Sequence, residues 1–269
     1  MLRVIGFGDN VVDRYLDLGQ MFPGGNAVNF AALARKYGFE SAYLGVVGDD
    51  AEGDLLKEAL QEENVDISRL QTVGKKTAFT DVALEEGERV FKDSDLSIYK
   101  ELTLAKDDLE YIGEYDLLHT SVYSEINHHL PTIRKKVKHL SFDFSDKWDQ
   151  DIMEEVAPFV DFAFLSGSDK TDEEVEERLK DLTAHGVEVA AITRGAEGAI
   201  LFDGKSFYRQ GIVPVDVVDT LGAGDAFLTM FLVNYLMSSE VAYAMKLAAE
   251  AAAASCTHYG AFGHGVPFA

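Results

Sequence analysis

Asp225 stands near the end of the stretch Asp219-Thr220-Leu221-Gly222-Ala223-Gly224-Asp225-Ala226-Phe227, where a β-branched strand is expected to lead into Gly-x-Gly and then into an apolar helix. The turn Gly222-Ala223-Gly224 lets the backbone bend sharply and expose amides, and the helix start adds a positive dipole end. Such a turn is a hole for an anion. Asp225 would then meet both that anion and a hydroxyl held beside it. Phosphoryl transfer asks for this combination of charge stabilisation, alignment and a group to take the hydroxyl's proton. The helix dipole is expected to keep the carboxylate ionised at neutral pH. The same residues also read as a plain tight turn, with Asp225 a helix cap or first-turn acid.

Three other stretches carry polar groups suited to a small ligand. In Gly24-Gly25-Asn26-Ala27-Val28-Asn29, the glycines permit close backbone approach, while Asn26 and Asn29 can each donate to and accept from hydroxyls. A helix cap at Asn26 and a surface amide at Asn29 are the plainer alternative. In Gly8-Asp9-Asn10-Val11-Val12-Asp13, acids follow the first strand, where an open parallel sheet presents its ligand crevice. A carboxylate there can span two neighbouring hydroxyls or simply be solvated in a loop. In Thr193-Arg194-Gly195-Ala196-Glu197-Gly198, a hydroxyl and two glycines follow another strand, as a phosphate-contacting turn or a simple β-turn.

Positioning these groups requires a scaffold, and strand-like apolar runs alternate with helix-like segments from end to end. That alternation predicts an α/β fold with a mostly parallel sheet covered by helices. Strands are expected at Val4–Gly8, Ala42–Val47, Asp116–His119, His139–Phe144, Phe162–Leu165, Val187–Thr193 and Ala199–Phe202. Helices are expected at Asn26–Tyr37, from about Asp50 to Glu62, at Asp225–Met237 and at Val241–His258. Between Thr77 and Phe91 two strand-like runs flank Glu85-Glu86-Gly87-Glu88, which reads as a hairpin suited to a lid. With no repeat and no Pro/Ser-rich linker, the economical division is one main domain over 1–269 with a β lid around 77–91.

The 269 residues are 47% hydrophobic, carry a formal net charge of -23 and contain one cysteine, Cys256, which rules out an intramolecular disulfide. The charge repels nucleic acid and anionic lipid at long range, so neither is an expected partner. The start, Met1-Leu2-Arg3-Val4-Ile5-Gly6, is too short for a signal peptide or a membrane span, and a cytoplasmic protein is expected. Acidic runs such as Glu173-Glu174-Val175-Glu176-Glu177 read as solvated surface. A nucleotide approaching this protein needs local donors and a metal to offset the field.

The stretches at 219–227 and 24–29 resemble, in order and spacing, the two signatures of the ribokinase-like, or PfkB, carbohydrate kinases, and the likeness extends over essentially the whole chain. The resemblance implies a three-layer ribokinase-like fold and a phosphotransferase acting on an alcohol group, with ATP and Mg²⁺ as cofactors and K⁺ in some relatives. Asp225 becomes the base and Gly222, Ala223 and Gly224 the anion hole. Asp13 becomes the sugar-binding acid, with Gly25, Asn26 and Asn29 beside it and Asp9 and Asn10 as lesser candidates. Thr193, Gly195 and Gly198 fall on the nucleotide side. Lys147 matches a basic residue near the transferred phosphate. One departure stands out: relatives commonly carry Asn-x-x-Glu to organise Mg²⁺ through water, and here Ser166-Gly167-Ser168-Asp169 occupies that place, leaving Asp169 as the acid. Asp219, with the segment near Gly260, matches a region that binds a monovalent cation in some relatives, and equally reads as a structural acid.

Within the family, Gly8-Asp9-Asn10, Gly24 to Asn29 and Asp143-Phe144-Ser145-Asp146-Lys147-Trp148-Asp149 resemble most the bacterial kinases of Amadori-type amino sugars. That narrower resemblance implies transfer to the 6-hydroxyl of fructoselysine. Its amines favour an acidic protein, with Asp9 the candidate carboxylate for them. A fructokinase or ribokinase-like kinase of a plain sugar is the alternative among enzymes, ahead of a nucleoside kinase, and a non-catalytic sugar sensor with the same fold is the alternative from another class. Relatives often pair their lids in homodimers.

Overall fold

A computed structural model describes residues 2–85 and 88–268. In chain order the elements are β1 (Arg3–Gly8), β2 (Val11–Tyr15), β3 (Gln20–Gly24), α1 (Asn26–Lys36), β4 (Glu40–Gly48), α2 (Ala51–Glu62), β5 (Gln71–Val73), β6 (Phe79–Glu85), β7 (Glu88–Asp95), α3 (Lys106–Ile112), β8 (Leu117–Ser121), α4 (Leu130–Ile133), β9 (His139–Asp143), α5 (Gln150–Val156), β10 (Phe162–Ser166), α6 (Asp172–Ala184), β11 (Val189–Thr193), β12 (Ala199–Phe202), β13 (Phe207–Gln210), α7 (Ala223–Ser238), α8 (Val241–Ser255) and β14 (Val266–Pro267).

Nine strands form one sheet in the order β13-β12-β11-β10-β9-β8-β1-β4-β5, parallel from β11 to β5 and antiparallel at the β12 and β13 edge. Adjacent residues of its strands feed opposite faces. Val4 and Leu117 pack with Phe30 of α1, Phe231 of α7 and Ala244 of α8. Ile5 and Leu118 pack with Ile112 of α3, Leu130 of α4, Met153 of α5 and Leu179 of α6. Three layers follow from that period of two in fully buried strands. The chain order reverses at β1, which lies between β4 and β8, so the crevice of an open α/β sheet opens at their carboxyl ends.

The hairpin expected at 77–91 is β6 and β7, and it is less than half of what it belongs to. A second sheet runs β14-β3-β2-β6-β7, so the residues after β1 are also strand. Of its expected turn, Glu86 and Gly87 lie outside the described residues. Asp13, expected in a loop, sits on β2, paired with Phe22 on one side and Thr80 on the other. The chain leaves the first sheet at Gly8, whose φ of 124° and packing on Ser124 leave no room for a side chain.

Local rules set several boundaries. Asp50 caps α2 by accepting from Gly53 N at 2.9 Å, and Thr171 with Glu174 forms a capping box on α6. In α6 the apolar Val175, Leu179 and Leu182 are buried beneath the acidic face, as a solvated surface requires. The β-branched run before Gly222 is a difference: Gly211 to Val218 is exposed and irregular, with Val217 62% exposed. Among the described residues it joins neither sheet, β13 being the edge strand, and at its end the Val218 and Asp219 amides donate to Cys256 O.

Candidate active site

A cleft of about 1100 Å³ opens along the carboxyl ends of β1 and β8 to β11, between the two sheets and the first turn of α7. Asp225 enters it from that turn. Gly222 starts α7 with φ 77°, and a Cβ there would stand 2.3 Å from that of Ala261, so only glycine makes the bend. Ala223 N donates to Thr220 O at 3.2 Å. The Gly224 and Asp225 amides, next in the turn, have no intrahelical acceptor, and among the described residues nothing beyond the turn itself approaches within 4 Å of where a Gly224 Cβ would be. An anion is accommodated there.

Asp225 Oδ2 accepts from Asn29 Nδ2 at 2.7 Å. Its carboxyl keeps partial contact with the cleft, yet the surrounding protein pushes its pKa up to about 7, against the Asn29 hydrogen bond and with a further push from Asp9. Burial thus brings this acid close to neutral pH, where the sequence suggested it would stay fully ionised. A second acid, Asp143 at the end of β9, is pushed up to about 8 by burial and by the charge of Asp225. Asp143 accepts from Asn26 Nδ2 and from Ser145 N, both at 2.7 Å. So Asn26 and Asn29, expected as sugar ligands, do line the cleft, and each also uses one of its two amide donors to hold a carboxyl. Asn29 Oδ1 is buried with no protein partner.

On the other side of the cleft, Asp13 is brought against the chain at Gly24, where a Cβ would be 2.5 Å from its Oδ2. Gly25 has φ 105° and lies on the Asn10 backbone, which fixes the entry to α1. Two neighbours of Asp13 are corrections. Asp9 is 2% exposed, and its oxygens accept from Ser121 and Ser124 hydroxyls at 2.7 Å and from Asn26 N at 2.6 Å. It pins β1, β8 and α1 together and has no face left for a substrate amine. Asn10 is fully buried outside the cleft lining, donating to Tyr43 and to Val46 O, while its own carbonyl accepts from Tyr99.

The nucleotide-side candidates divide similarly. Ser166, Thr193, Gly195 and Gly198 line the cleft, although Gly198 is required first by its contact with Gln210 O. Asp169 does not line it: its side chain is 73% exposed and paired with Lys170 at 2.7 Å. Lys147 also stands outside the lining, paired with Asp146 at 2.8 Å. Asp219 accepts from Tyr15 and the Leu221 and Gly260 amides, and a monovalent cation would have to share those oxygens. Sequence reasoning missed the apolar wall of Ile212, Val213, Val215 and Val217, and quoted Asp143 without a role. An acid at the carboxyl end of a buried parallel strand was the available signal.

Among the described residues that line the cleft there are five aspartates, Asp9, Asp13, Asp143, Asp146 and Asp225, and no Lys, Arg or His. A polyanion entering it needs a cation, and a cationic acceptor is favoured.

The description of the pfkB family carbohydrate kinases matches residues 5–267. The chain is 41% identical to fructosamine kinase FrlD of Bacillus subtilis, over 99% of this chain and 95% of that one. It is 36% identical to fructoselysine 6-kinase of Escherichia coli, over 97% of this chain and all of that one. In structure it resembles Arabidopsis thaliana ribokinase complexed with ribose and ATP, with a TM-score of 0.86 at 23% identity, covering 100% of this chain and 96% of that one. Motifs, three-layer fold and whole-length similarity agree: this chain belongs to the pfkB family of carbohydrate kinases.

Proposed function

We propose that the protein transfers the γ-phosphoryl group of ATP to the primary 6-hydroxyl of fructoselysine or a related fructosamine. The observation that carries the choice of acceptor is that Asp13 and Asp146 line the cleft while no Lys, Arg or His does among the described residues, which suits a cationic amino sugar better than a neutral one. The names of the two relatives point the same way.

In this reading Asp13 and the backbone at Gly24 and Gly25 hold sugar hydroxyls, and Asp225 takes the proton of the attacking hydroxyl. Asn29 orients that carboxylate. The Gly224 and Asp225 amides receive charge developing on the phosphoryl oxygens. Thr193, Gly195, Gly198 and Ser166 line the phosphate side, and the wall at 212–217 receives the base. The hard oxygens of Asp143, Ser166 and Ser168 fit Mg²⁺, which when bound supplies the positive charge the lining lacks. We place the working protein in the cytoplasm as a homodimer paired through the second sheet, without nucleic-acid or membrane partners. The single cysteine and the charge of -23 support that setting, and no described helix is long and apolar enough to cross a membrane.

The test is ADP release from ATP with fructoselysine and with fructose, at low salt and at 1 M salt. A direct contact between carboxylate and amine contributes about 1.5–3 kcal/mol, roughly ten- to a hundredfold in kcat/KM. Fructoselysine should win by that factor and keep most of its advantage in salt. Equal efficiency on both sugars under both conditions sinks the amino-sugar reading, and release independent of any sugar sinks the kinase reading.

A further inference from the structure

We propose that Tyr123, Asp146 and Lys147 form a subsite for the α-amino-acid end of the acceptor, with Asp146 taking its ammonium and Lys147 its carboxylate. The inference rests on the fructosamine reading and names how the part of the substrate beyond the sugar is recognised.

An amino acid attached to a sugar through its side-chain amine ends in an ammonium and a carboxylate on one carbon. Its complement is a carboxylate and an ammonium held side by side, next to an apolar shelf for the methylene stem. Tyr123 and Asp146 both line the cleft, and Asp146 is an exposed residue at its rim. Lys147 Nζ lies 2.8 Å from Asp146 Oδ1 and 5.7 Å from the centre of the Tyr123 ring. The Tyr123 hydroxyl donates to Asp146 Oδ1 at 3.0 Å and lies 3.2 Å from Ser145 Oγ, which fixes ring and carboxylate relative to each other.

The turn that carries the pair is rigid. Ser145 has φ 53°, unusual for a residue with a side chain. It is held there by Asp143 Oδ1 accepting its amide and by its carbonyl accepting from Ser166 N at 2.8 Å. The pair itself is open to exchange: with Lys147 46% exposed, a solvent-screened ion pair of this kind adds little to stability, so it opens at little cost to form two crossed pairs with a zwitterion. Because the described lining has no cation of its own, Lys147 is where an acceptor's carboxylate finds a positive partner at the rim. This assignment replaces the phosphate-contacting role that the sequence suggested for Lys147.

The experiment compares kcat/KM on three acceptors: fructoselysine, the fructosamine of 1,5-diaminopentane, which lacks the carboxylate, and Nα-acetylated fructoselysine, which lacks the α-ammonium. In Lys147→Met the ratio of fructoselysine to the diaminopentane compound should fall about tenfold, through KM, while Lys147→Arg should retain it. In Asp146→Asn the ratio of fructoselysine to its Nα-acetyl form should fall similarly. Ratios within twofold of the parent protein overturn the subsite. So does an equal loss on all three acceptors with a raised KM for ATP, which would return Lys147 to the phosphates. A parent protein with no preference for any fructosamine over fructose overturns the underlying function instead, so the two failures are distinguishable.

Discussion

Asp225 and Asp143 titrate inside one cleft, Asp225 raised by burial and Asp143 by burial and the Asp225 charge, and the chemistry therefore depends on pH. With Asp225 at about 7 and Asp143 at about 8, kcat/KM should fall as pH drops through 7, because the base fills with its proton. Asp143 still holds its proton as pH passes through 7, so Asp143→Asn exchanges one neutral group for another and should leave that acid limb in place, whereas a limb that moves to lower pH would show Asp143 ionised beside the base. The same acids affect stability. Both hold protons in the folded protein that they release near pH 4 when unfolded, so the stability linked to them is present at low pH and lost as pH rises through about 8. Relative to the parent, Asp143→Asn should therefore melt higher at pH 9 than at pH 5. Asp225→Asn keeps the Asn29 contact geometry but takes no proton, and turnover should fall about a hundred- to ten-thousandfold while sugar still binds. Near-normal turnover would remove the base from the mechanism.

The glycine turn before α7 separates shape from function within one element. Gly222→Ala places a Cβ against Ala261 at positive φ, and should cost about 1–3 kcal/mol of unfolding free energy. Gly224→Ala meets no protein atom and lies in helix, so the melting temperature should hold or rise, by about 0.5–1 kcal/mol in stability terms. Its methyl would intrude on the anion, and kcat/KM for ATP should drop. An unchanged KM and kcat for ATP in Gly224→Ala would show that the first turn of α7 does not meet the phosphates. The contrast is measurable because one position is crowded by the protein and the other is left bare toward the cleft.

Across the whole molecule the net charge of -23 opposes compaction. Screening should relieve it, so the melting temperature should rise between about 20 mM and 0.5 M NaCl as the Debye length shortens. A fall would mean that attractive surface pairs, such as Arg134 with Asp161 at 2.6 Å, outweigh the repulsion. Salt should also narrow, without abolishing, the preference for a cationic acceptor. Light scattering at low salt checks the proposed dimer, and a monomer at working concentration would leave the second sheet as an intramolecular cover only.

Strand-like runs, the glycine turn and the acid after it were legible in the sequence because each depends on neighbours in the chain: burial on both faces, positive φ and a helix start are local requirements. The family was legible for the same reason, as two local signatures in the right order. Four things were not. That Asp13 lies inside a sheet, with a strand on either side, depends on β2 pairing with β6, more than sixty residues away. The engagement of Asp9 by Ser121 and Ser124 depends on β1 lying beside β8. The irregular course of 211–218 depends on the sheet having closed at β13. Asp143 acquired a role only when Asn26 reached it across the cleft and Asp225 came close enough to raise its pKa. The sequence by itself determined which residue types are available for phosphoryl transfer. Only the tertiary structure decided which of the acids face the substrate, because partners that are distant in the chain set the burial and the hydrogen bonds of a carboxylate.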